Sequence, residues 1–476
     1  MLSPLASLRT WSAERPGDRA VAGPGVELTA AELWDTVLRI VGWLDKRGIP
    51  RDVPIGTAVA RMLEPAFQLA LLARGQPAGV YPPGFPVGPG EALELLVTSR
   101  PRPDLAPRRQ LVVDDQALAE WAAVDLTRVA LADPGDDAVL RLLFSSGTTG
   151  TPKTIPRTAR QIEASARPPR IEGLGDGRYA CLLHPGAMSY QNGLLAAMLA
   201  RHVHVVAETS EEAVPLLRRH GIEIVQGSPA QLDTLLAAVS RSGTTLPRLR
   251  RLISAGAPMT RAMAARLRSG LGVEVADLLG SSEVEIIGAR IMDDSDRGIT
   301  LAAGVVAEIV DDEDHPLPIG ATGRLRVKTA RQSSGYAHPV PTSPQLGFQD
   351  GWFYSGDMAR LDDRGALHPI GRADDLINVG GRKLNPDLVE AAARKHPGIA
   401  EALAVPVNDA VGRRTLGLAV VGEFAADALP ALIERVRRET GVAPSIVVRM
   451  AALPLSERGK PDRQAAAALL EARVQD

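Results

Sequence analysis

A nine-residue string rich in glycine and hydroxyl side chains has the clearest chemistry in this sequence. It reads Ser-Ser-Gly-Thr-Thr-Gly-Thr-Pro-Lys over residues 145–153 and directly follows 139–144, an apolar run that predicts a buried strand. Glycine lets the backbone approach a ligand closely, and hydroxyl, backbone N–H and ammonium groups all donate hydrogen bonds to phosphate oxygens. The donors are Ser145, Ser146, Gly147, Thr148, Thr149, Gly150 and Lys153. The string therefore predicts a phosphate-binding loop, although its glycine-to-lysine spacing is not that of a Walker A loop.

Further along the chain, carboxylates, hydroxyls and a lysine stand in short segments that could serve the same ligand. These segments are 254–258, 279–283, 354–357, 371–383 and 454–460. An ionised carboxylate suits a hard cation such as Mg²⁺, and it can also accept hydrogen bonds from two adjacent hydroxyl groups. Lys460, in the last segment, is one of only six lysines in the chain.

In order and spacing, these segments resemble the motifs of the adenylate-forming superfamily: acyl-CoA and aryl-CoA synthetases, peptide-synthetase adenylation domains and beetle luciferases. The likeness extends over nearly the whole chain, and five motifs in the same order make coincidence improbable. Leu279 departs from the pattern, which usually has an aromatic residue against adenine. The resemblance implies that ATP activates a carboxylic acid to an acyl adenylate, with release of pyrophosphate, before the acyl group passes to a thiol.

The resemblance also implies roles in the first half-reaction. Glu283 would hold the Mg²⁺ that accompanies ATP, and Ser282 would contact the α-phosphate. Lys460 would reach both the substrate carboxylate and the α-phosphate. Gly256 would permit close approach of the adenine base. These expectations make Lys460, Glu283 and Ser282 the candidate catalytic residues.

Other residues take their expected roles from the same resemblance. Asp357 would bind both ribose hydroxyls, and Arg372 would contact the ribose as well. Asp374 would be the hinge about which a small domain turns between the two half-reactions. Gly380 and Gly381 would line the tunnel for a pantetheine arm, where side chains would obstruct it.

The segment 184–195 is where the family places part of its acid pocket. It contains no acidic residue, so an α-amino acid is not the expected substrate. Tyr190 and Asn192 are the candidate pocket residues, although Tyr190 could equally be a core residue. We expect a compact aryl or short acyl acid, by overall likeness to benzoate-type ligases. Coenzyme A is the expected acceptor, and a phosphopantetheinyl carrier protein or an amine remains open.

Composition excludes several other classes of protein. The chain has 476 residues and a net charge of -2, which argues against a polyanionic partner such as nucleic acid. A single cysteine, Cys181, cannot form an internal disulfide or a multi-cysteine metal site, and it is expected to be a small buried side chain. No apolar run has the length of a membrane span, so we expect a cytoplasmic protein without a membrane partner. A homodimer remains open.

The element pattern predicts an α/β fold. Capping boxes at 29–32 and 228–231 open two predicted helices, the first ending near residue 44 and the second near 239. Strand-like and helix-like runs alternate from about residue 137 to 279, short alternating strands follow from about 301, and the last hundred or so residues look α+β. The pattern predicts a large N-terminal part at 1–371, made of α/β layers and a β subdomain, and a small α+β part at 372–476. The resemblance implies that the first is the adenylation core and the second a mobile C-terminal lid.

Overall fold

The structure, a computed structural model, describes most of the chain. The described residues are 1–81, 93–102, 109–146, 152–167, 171, 174, 176–257, 259–293, 295, 297–339, 346–372, 377–379, 382–384, 386–408, 414–454 and 461–472. They divide into two compact units. Unit 1 comprises Met1–Val306 and Lys328–Pro344, and unit 2 comprises Ala307–Val327 and Gln345–Asp476. The boundary expected between residues 371 and 372 stays a prediction.

The helices of the two units are as follows. They are α1 (Ser3–Glu14), α2 (Ala30–Lys46), α3 (Glu64–Arg74), α4 (Asp115–Ala122), α5 (Ala159–Ser165), α6 (Met188–Ala200), α7 (Ser210–Arg219), α8 (Pro229–Ser242), α9 (Arg261–Leu271), α10 (Pro386–Arg394), α11 (Leu429–Thr440) and α12 (Arg463–Ala472). The described residues also form two short 3-10 helices, Leu126–Arg128 and Ala426–Ala428.

The strands of unit 1 are listed here in chain order. They are β1 (Arg19–Gly23), β2 (Val26–Thr29), β3 (Ile55–Ala58), β4 (Ala78–Val80), β5 (Leu95–Thr98), β6 (Arg109–Val112), β7 (Val139–Ser146), β8 (Pro152–Thr158), β9 (Tyr179–Cys181), β10 (His204–Val205), β11 (Ile224–Gly227), β12 (Arg251–Ser254), β13 (Glu274–Ser281), β14 (Glu285–Ile291) and β15 (Thr300–Leu301).

The remaining strands begin at residue 306. They are β16 (Val306–Val310), β17 (Gly323–Lys328), β18 (Gly347–Gln349), β19 (Trp352–Leu361), β20 (Leu367–Arg372), β21 (Ile377–Val379), β22 (Arg382–Leu384), β23 (Ile399–Asn408), β24 (Arg414–Gly422) and β25 (Ile446–Met450).

Unit 1 contains two six-stranded sheets. One has the order β6-β5-β3-β4-β7-β8 and is parallel except for β8, which pairs antiparallel with β7. The other has the order β15-β14-β13-β12-β11-β9, with a parallel part from β9 to β13 and an antiparallel hairpin at β13–β14. The first sheet thus ends in the β7–β8 hairpin and the second contains the β13–β14 hairpin, and these two hairpins carry candidate phosphate and metal residues.

Unit 2 contains a mainly antiparallel sheet, β16-β17-β19-β18, with β20 paired to β19. It also contains the β21–β22 hairpin and the three-stranded sheet β23-β24-β25. Helices α10 and α11 contribute apolar side chains to the core over this last sheet, including Val389, Leu432 and Val436. The antiparallel β region and the α+β region that the sequence predicts are therefore both present.

Local sequence accounts for several elements directly. Thr29 caps α2: its hydroxyl accepts from the Glu32 N–H, and the Glu32 carboxylate accepts from the Thr29 N–H. Ser228 and Gln231 cap α8 in the same way. Helix α9 begins at Arg261, because the hydroxyl of Thr260 accepts from the Met263 N–H and caps the helix there.

The predicted α/β class is confirmed, and two expectations about single features can be compared with the structure. Cys181 is buried, and burial raises the pKa of its thiol to about 11, which suits the expected packing role and not a nucleophile. Among the residues that the structure describes, no helix has both the length and the apolar character needed to cross a bilayer. The Pro/Gly-rich segment 82–90 lies outside the described residues.

Candidate functional site

The predicted phosphate loop joins two paired strands. Strands β7 and β8 are antiparallel, and Ser145 faces Lys153 across the pair. The string therefore begins on one strand of this hairpin and ends on the other. Gly147, Thr148, Thr149 and Gly150 lie outside the described residues, as does the side chain of Ser146. The structure therefore fixes the two ends of the loop and brings Ser145 and Lys153 together at its base.

A tyrosine connects Lys153 to the candidate metal carboxylate. The ammonium nitrogen of Lys153 lies 5.1 Å from the centre of the Tyr336 ring, and the Tyr336 hydroxyl donates to Glu283 Oε1 over 3.2 Å. Burial and the negative charge of Glu283 hold the pKa of Tyr336 well above its usual range, so the hydroxyl keeps its proton and remains a donor. Two residues 130 positions apart in the sequence are thus brought to one place in unit 1.

Glu283 stands in the turn of the β13–β14 hairpin. It is 8% exposed, and its N–H donates to the Ser281 hydroxyl over 3.3 Å, while Ser282 beside it is partly exposed in the same turn. The carbonyl of Glu283 accepts from the N–H of Ser333 over 2.8 Å. These backbone contacts hold the turn in place, so the direction of the Glu283 side chain is set by the fold.

The segment that carries Tyr336 is fastened to the phosphate hairpin. Ser333 is fully buried, and its hydroxyl donates to the carbonyl of Pro156 over 2.8 Å. The Ala337 N–H donates to the carbonyl of Thr154 over 2.9 Å. Residues 333–337 therefore tie the end of one six-stranded sheet to the turn of the other, and this explains how Lys153 and Glu283 meet.

Behind this turn lies a buried ion pair. Arg157 on β8 and Glu285 on β14 form a salt bridge, and each side chain is 2% exposed. The Ser165 hydroxyl also donates to Glu285, and Arg331 approaches it at 3.8 Å. Glu285 has a φ of 67°, an unusual conformation for a residue other than glycine, asparagine or aspartate. The pair therefore connects β8 of the first hairpin to β14 of the second.

The donor set at Glu283 fits a magnesium ion that arrives with a nucleotide. Within the described part of the chain, no three His, Cys, Asp or Glu side chains converge to hold a metal. Mg²⁺ is commonly bound through one or two carboxylates and completes its octahedron with water and substrate phosphate oxygens. A single carboxylate beside a phosphate loop is therefore a chemically reasonable partner for such an ion.

Gly256 follows strand β12 with a φ of +84°, which L side chains rarely adopt. A Cβ built at this position would meet no atom of the described residues within 4 Å. The local requirement for glycine is therefore conformational, and the space beside it is open. That space is compatible with the expected approach of a base.

In unit 2, the two candidate ribose residues are neighbours across a strand pair. Asp357 on β19 faces Arg372 on β20, and Arg372 Nη1 lies 3.7 Å from Asp357 Oδ1. Arg372 also donates to the carbonyl of Ser355 over 3.2 Å, and the Asp357 N–H donates to the Ser355 hydroxyl over 3.2 Å. The pairing fixes a carboxylate and a guanidinium side by side.

Four expected residues of the same motifs cannot be placed. Lys460, Asp374, Gly380 and Gly381 lie outside the described residues. Their assignments as catalytic lysine, hinge and thiol tunnel stay predictions.

The candidate pocket residue Tyr190 is buried on α6. Its ring packs edge-on against His204 with 4.8 Å between ring centres, and the Arg61 guanidinium lies 5.9 Å from the Tyr190 ring centre. Burial and Arg61 lower the pKa of His204 to about 3, so its ring is neutral. Within the described residues the Tyr190 hydroxyl has no hydrogen-bond partner. The assignment of Tyr190 as a pocket residue stays a prediction.

The other candidate pocket residue, Asn192, is held by a buried arginine. Arg141 on β7 is 5% exposed, and its Nη1 donates to Asn192 Oδ1 over 2.9 Å. Burial, with the positive charge of Arg157, lowers the pKa of Arg141 to about 9. The amide oxygen of Asn192 is thus already engaged by the protein.

Sequence reasoning missed Tyr336, Arg141 and the Arg157–Glu285 pair. Tyr336 follows a Ser-Ser-Gly turn that carries no obvious signal, and it meets Glu283 only through the fold. Arg141 interrupts an otherwise apolar strand, where an arginine is seldom buried without a partner. That interruption is the one local signal that could have marked it.

Comparison with known proteins bears on the class. A family model described as "AMP-binding enzyme" matches residues 8–337. The chain is 28% identical to enterobactin synthase component E of Escherichia coli (strain K12) over 355 residues, which cover 70% of this chain and 65% of that relative. It is 26% identical to a 4-chlorobenzoate–CoA ligase of Arthrobacter sp. over 440 residues, or 84% of this chain and 82% of the relative.

Among solved structures, the amide bond synthetase McbA from Marinactinospora thermotolerans has the same fold. It superimposes with a TM-score of 0.77 at 22% identity, and the match covers 98% of this chain and 99% of the other. The fold and the family match define an adenylate-forming enzyme. The chain belongs to the AMP-binding enzyme family, whose motifs its sequence was found to resemble.

Proposed function

We propose that this enzyme uses ATP and Mg²⁺ to adenylate a small aryl or short acyl carboxylic acid and then transfers the acyl group to the thiol of coenzyme A. The observation that carries the proposal is the Lys153–Tyr336–Glu283 arrangement, which brings the phosphate hairpin and a magnesium-type carboxylate to one place. Likeness to the 4-chlorobenzoate–CoA ligase supports an aryl acid and a CoA acceptor.

Adenylation solves the problem of a poor leaving group. A carboxylate oxygen attacks the α-phosphorus of ATP, pyrophosphate leaves, and the new mixed anhydride has AMP as its leaving group. Negative charge builds on the phosphoryl oxygens in the transition state, so preorganised donors and cations stabilise it. In our proposal Lys153 and the loop at 145–153 supply donors from one side, and Lys460 supplies an ammonium group to the reacting oxygens.

Glu283 would hold the magnesium ion, which neutralises phosphate charge when bound. The Tyr336 hydroxyl, kept protonated by its environment, donates to the Glu283 carboxylate and fixes its orientation. Asp357 and Arg372 would bind the ribose hydroxyls, for which a carboxylate is a suitable double acceptor. Asp374 would then act as the hinge, and Gly380 and Gly381 would admit the pantetheine arm to the acyl adenylate.

A phosphopantetheinyl carrier protein or an amine is the alternative acceptor. Each attacks the same carbonyl carbon and releases the same AMP, so the adenylation chemistry does not distinguish them. A luciferase-like oxygenase would also share every motif, and it would consume oxygen or emit light. A non-catalytic relative would be expected to have lost Glu283 or Lys460, and both are present.

The test is a pyrophosphate-release screen of the full chain over a panel of carboxylic acids, with and without coenzyme A. We expect acid-dependent formation of AMP and pyrophosphate, and a thioester when coenzyme A is present. Formation of AMP without a thioester would refute coenzyme A as the acceptor, and a carrier protein or an amine would then be tested in its place. Formation of ADP, or nucleotide turnover independent of any acid, would refute the proposal as a whole.

A further inference from the structure

Arg141 is a buried cation that has no anion beside it among the residues that the structure describes. It is 5% exposed, and its hydrogen bond to Asn192 is to a neutral amide oxygen. Within the described residues no carboxylate lies at ion-pairing distance from Arg141, whereas Glu285 is engaged by Arg157, Ser165 and Arg331. A buried charge is costly unless it is paired, so a fold that keeps one without a counter-ion calls for an explanation.

The local charge balance strengthens this point. Arg157 and Arg331 both approach the single carboxylate of Glu285, and the charges of Arg157 and Glu285 also act on Arg141. Three guanidinium groups therefore interact electrostatically with the carboxylate of Glu285. An additional anion would balance the excess positive charge, and a ligand is the natural source of it.

The position of Arg141 indicates which kind of ligand would supply this anion. It projects from β7, four residues before Ser145 at the base of the phosphate hairpin, and it contacts α6 in the segment where the acid pocket is proposed. The Asn192 amide oxygen accepts from one Nη atom and thereby orients the guanidinium plane. The remaining N–H groups of a guanidinium can donate two parallel hydrogen bonds to an anionic oxygen group such as a carboxylate. A neutral hydrocarbon substituent would leave those donors unused.

We propose that Arg141, oriented by Asn192, forms a subsite for a second anionic oxygen group on the substrate acid, distinct from the carboxylate that is adenylated. This inference rests on the proposed function and narrows it to small acids with a further carboxylate or an equivalent anion such as a sulfonate. Arg141 is the specificity-determining residue, and Asn192 is its positioning residue.

The experiment uses acids in matched pairs. Benzoate is compared with its three dicarboxylate isomers and with sulfobenzoate, and butyrate is compared with glutarate, by acid-dependent pyrophosphate release from the full chain. The measured quantity is the ratio of kcat/KM between the two members of each pair. We expect the wild type to favour at least one anionic member by about 10²-fold, because a site built for a polar group strongly rejects an analogue that lacks it.

Three variants decide the cause of that preference. Arg141→Met keeps the length of the side chain without its charge and should lower the ratio about 10²-fold. Asn192→Asp places a carboxylate against the guanidinium, so it should also abolish the preference for the anionic acid. This variant tests the role of Arg141 if Arg141→Met fails to fold. Arg160→Met is the matched control, since Arg160 is an exposed arginine on α5 that pairs with surface aspartates, and it should leave the ratio unchanged.

The inference is overturned if the wild type has no preference for any anionic member. It is also overturned if folded Arg141→Met or Asn192→Asp loses activity equally with both members of a pair, because that result means a structural role or contact with the reacting carboxylate. A wild-type enzyme that forms AMP from both members of every pair with equal kcat/KM refutes only the subsite. A wild-type enzyme that forms AMP from none of the acids removes the proposed function, and the subsite with it.

Discussion

Removal of the buried Glu285 carboxylate should destabilise unit 1 strongly. Glu285→Ala leaves the guanidinium of Arg157, which is 2% exposed, under the charges of Arg331 and Arg141 and removes the carboxylate that interacts with all three. Breaking a buried pair by deleting one partner typically costs about 3–5 kcal/mol, which is a large part of a total stability of about 5–15 kcal/mol. Urea unfolding followed by tryptophan fluorescence suits the measurement, because four of the five tryptophans lie in unit 1.

Two further variants separate charge from shape. Glu285→Gln keeps the volume and a hydrogen-bond acceptor but removes the charge, so it should cost nearly as much as Glu285→Ala. Replacing both partners, Arg157→Met with Glu285→Leu, removes the need for a counter-charge and should recover most of the loss. A cost below about 1 kcal/mol for Glu285→Ala, or a Glu285→Gln variant as stable as the wild type, would refute the reasoning, since such values are those of exposed pairs.

Four other changes test separate parts of the account. Lys460→Ala should slow adenylation by roughly 10²–10³-fold yet spare thiol attack on a preformed acyl adenylate, and equal losses in single-turnover kinetics would contradict the assigned role. Asp374→Pro should slow thioester formation more than adenylation, because proline restricts φ at the proposed hinge; stopped-flow traces in which both steps slow together would contradict it. Tyr336→Phe removes the donor that orients Glu283 and should weaken Mg²⁺-dependent activity about 10–100-fold, measured by Mg²⁺ titration of pyrophosphate release, whereas an unchanged titration would exclude an orienting role. Burial raises the pKa of Glu64 from 4.5 to about 7, so folding favours the protonated form and the wild type loses stability as the pH rises through that range. Glu64→Gln cannot ionise at this position, so it should escape roughly 3 kcal/mol of this loss. Urea midpoints are measured at pH 4.5 and pH 8 for both proteins, and an equal change in midpoint between the two pH values would disprove the prediction.

Local sequence signals predicted the elements well. The capping boxes at Thr29 and Ser228 gave the starts of α2 and α8, because each cap is made by residues three apart in the chain. The apolar run before the phosphate string predicted β7, which continues two residues beyond residue 144 to Ser146. The α/β class and the order of the motifs followed from such short-range patterns.

Residues of the candidate site could be predicted only where they belong to a recognisable motif of their own. Glu283 and Lys153 were expected from their own segments, but the tyrosine between them lies 53 residues from Glu283 and contacts it only through the folded chain. Arg141 and Asn192 are 51 residues apart, and Arg157 and Glu285 are 128 apart. Contacts of this kind depend on how two sheets meet, and no local pattern of residue types encodes that arrangement.

Adenylation itself can be tested most directly with an oxygen label. If the substrate carboxylate attacks the α-phosphorus, one of its oxygens must remain on the phosphorus when the acyl group departs. The full chain is given ATP, Mg²⁺, coenzyme A and a carboxylic acid that is labelled with ¹⁸O in its carboxylate, and the AMP is analysed by mass spectrometry. We predict AMP that carries one ¹⁸O atom together with unlabelled pyrophosphate. Unlabelled AMP, or label in pyrophosphate or inorganic phosphate, would contradict an acyl-adenylate intermediate.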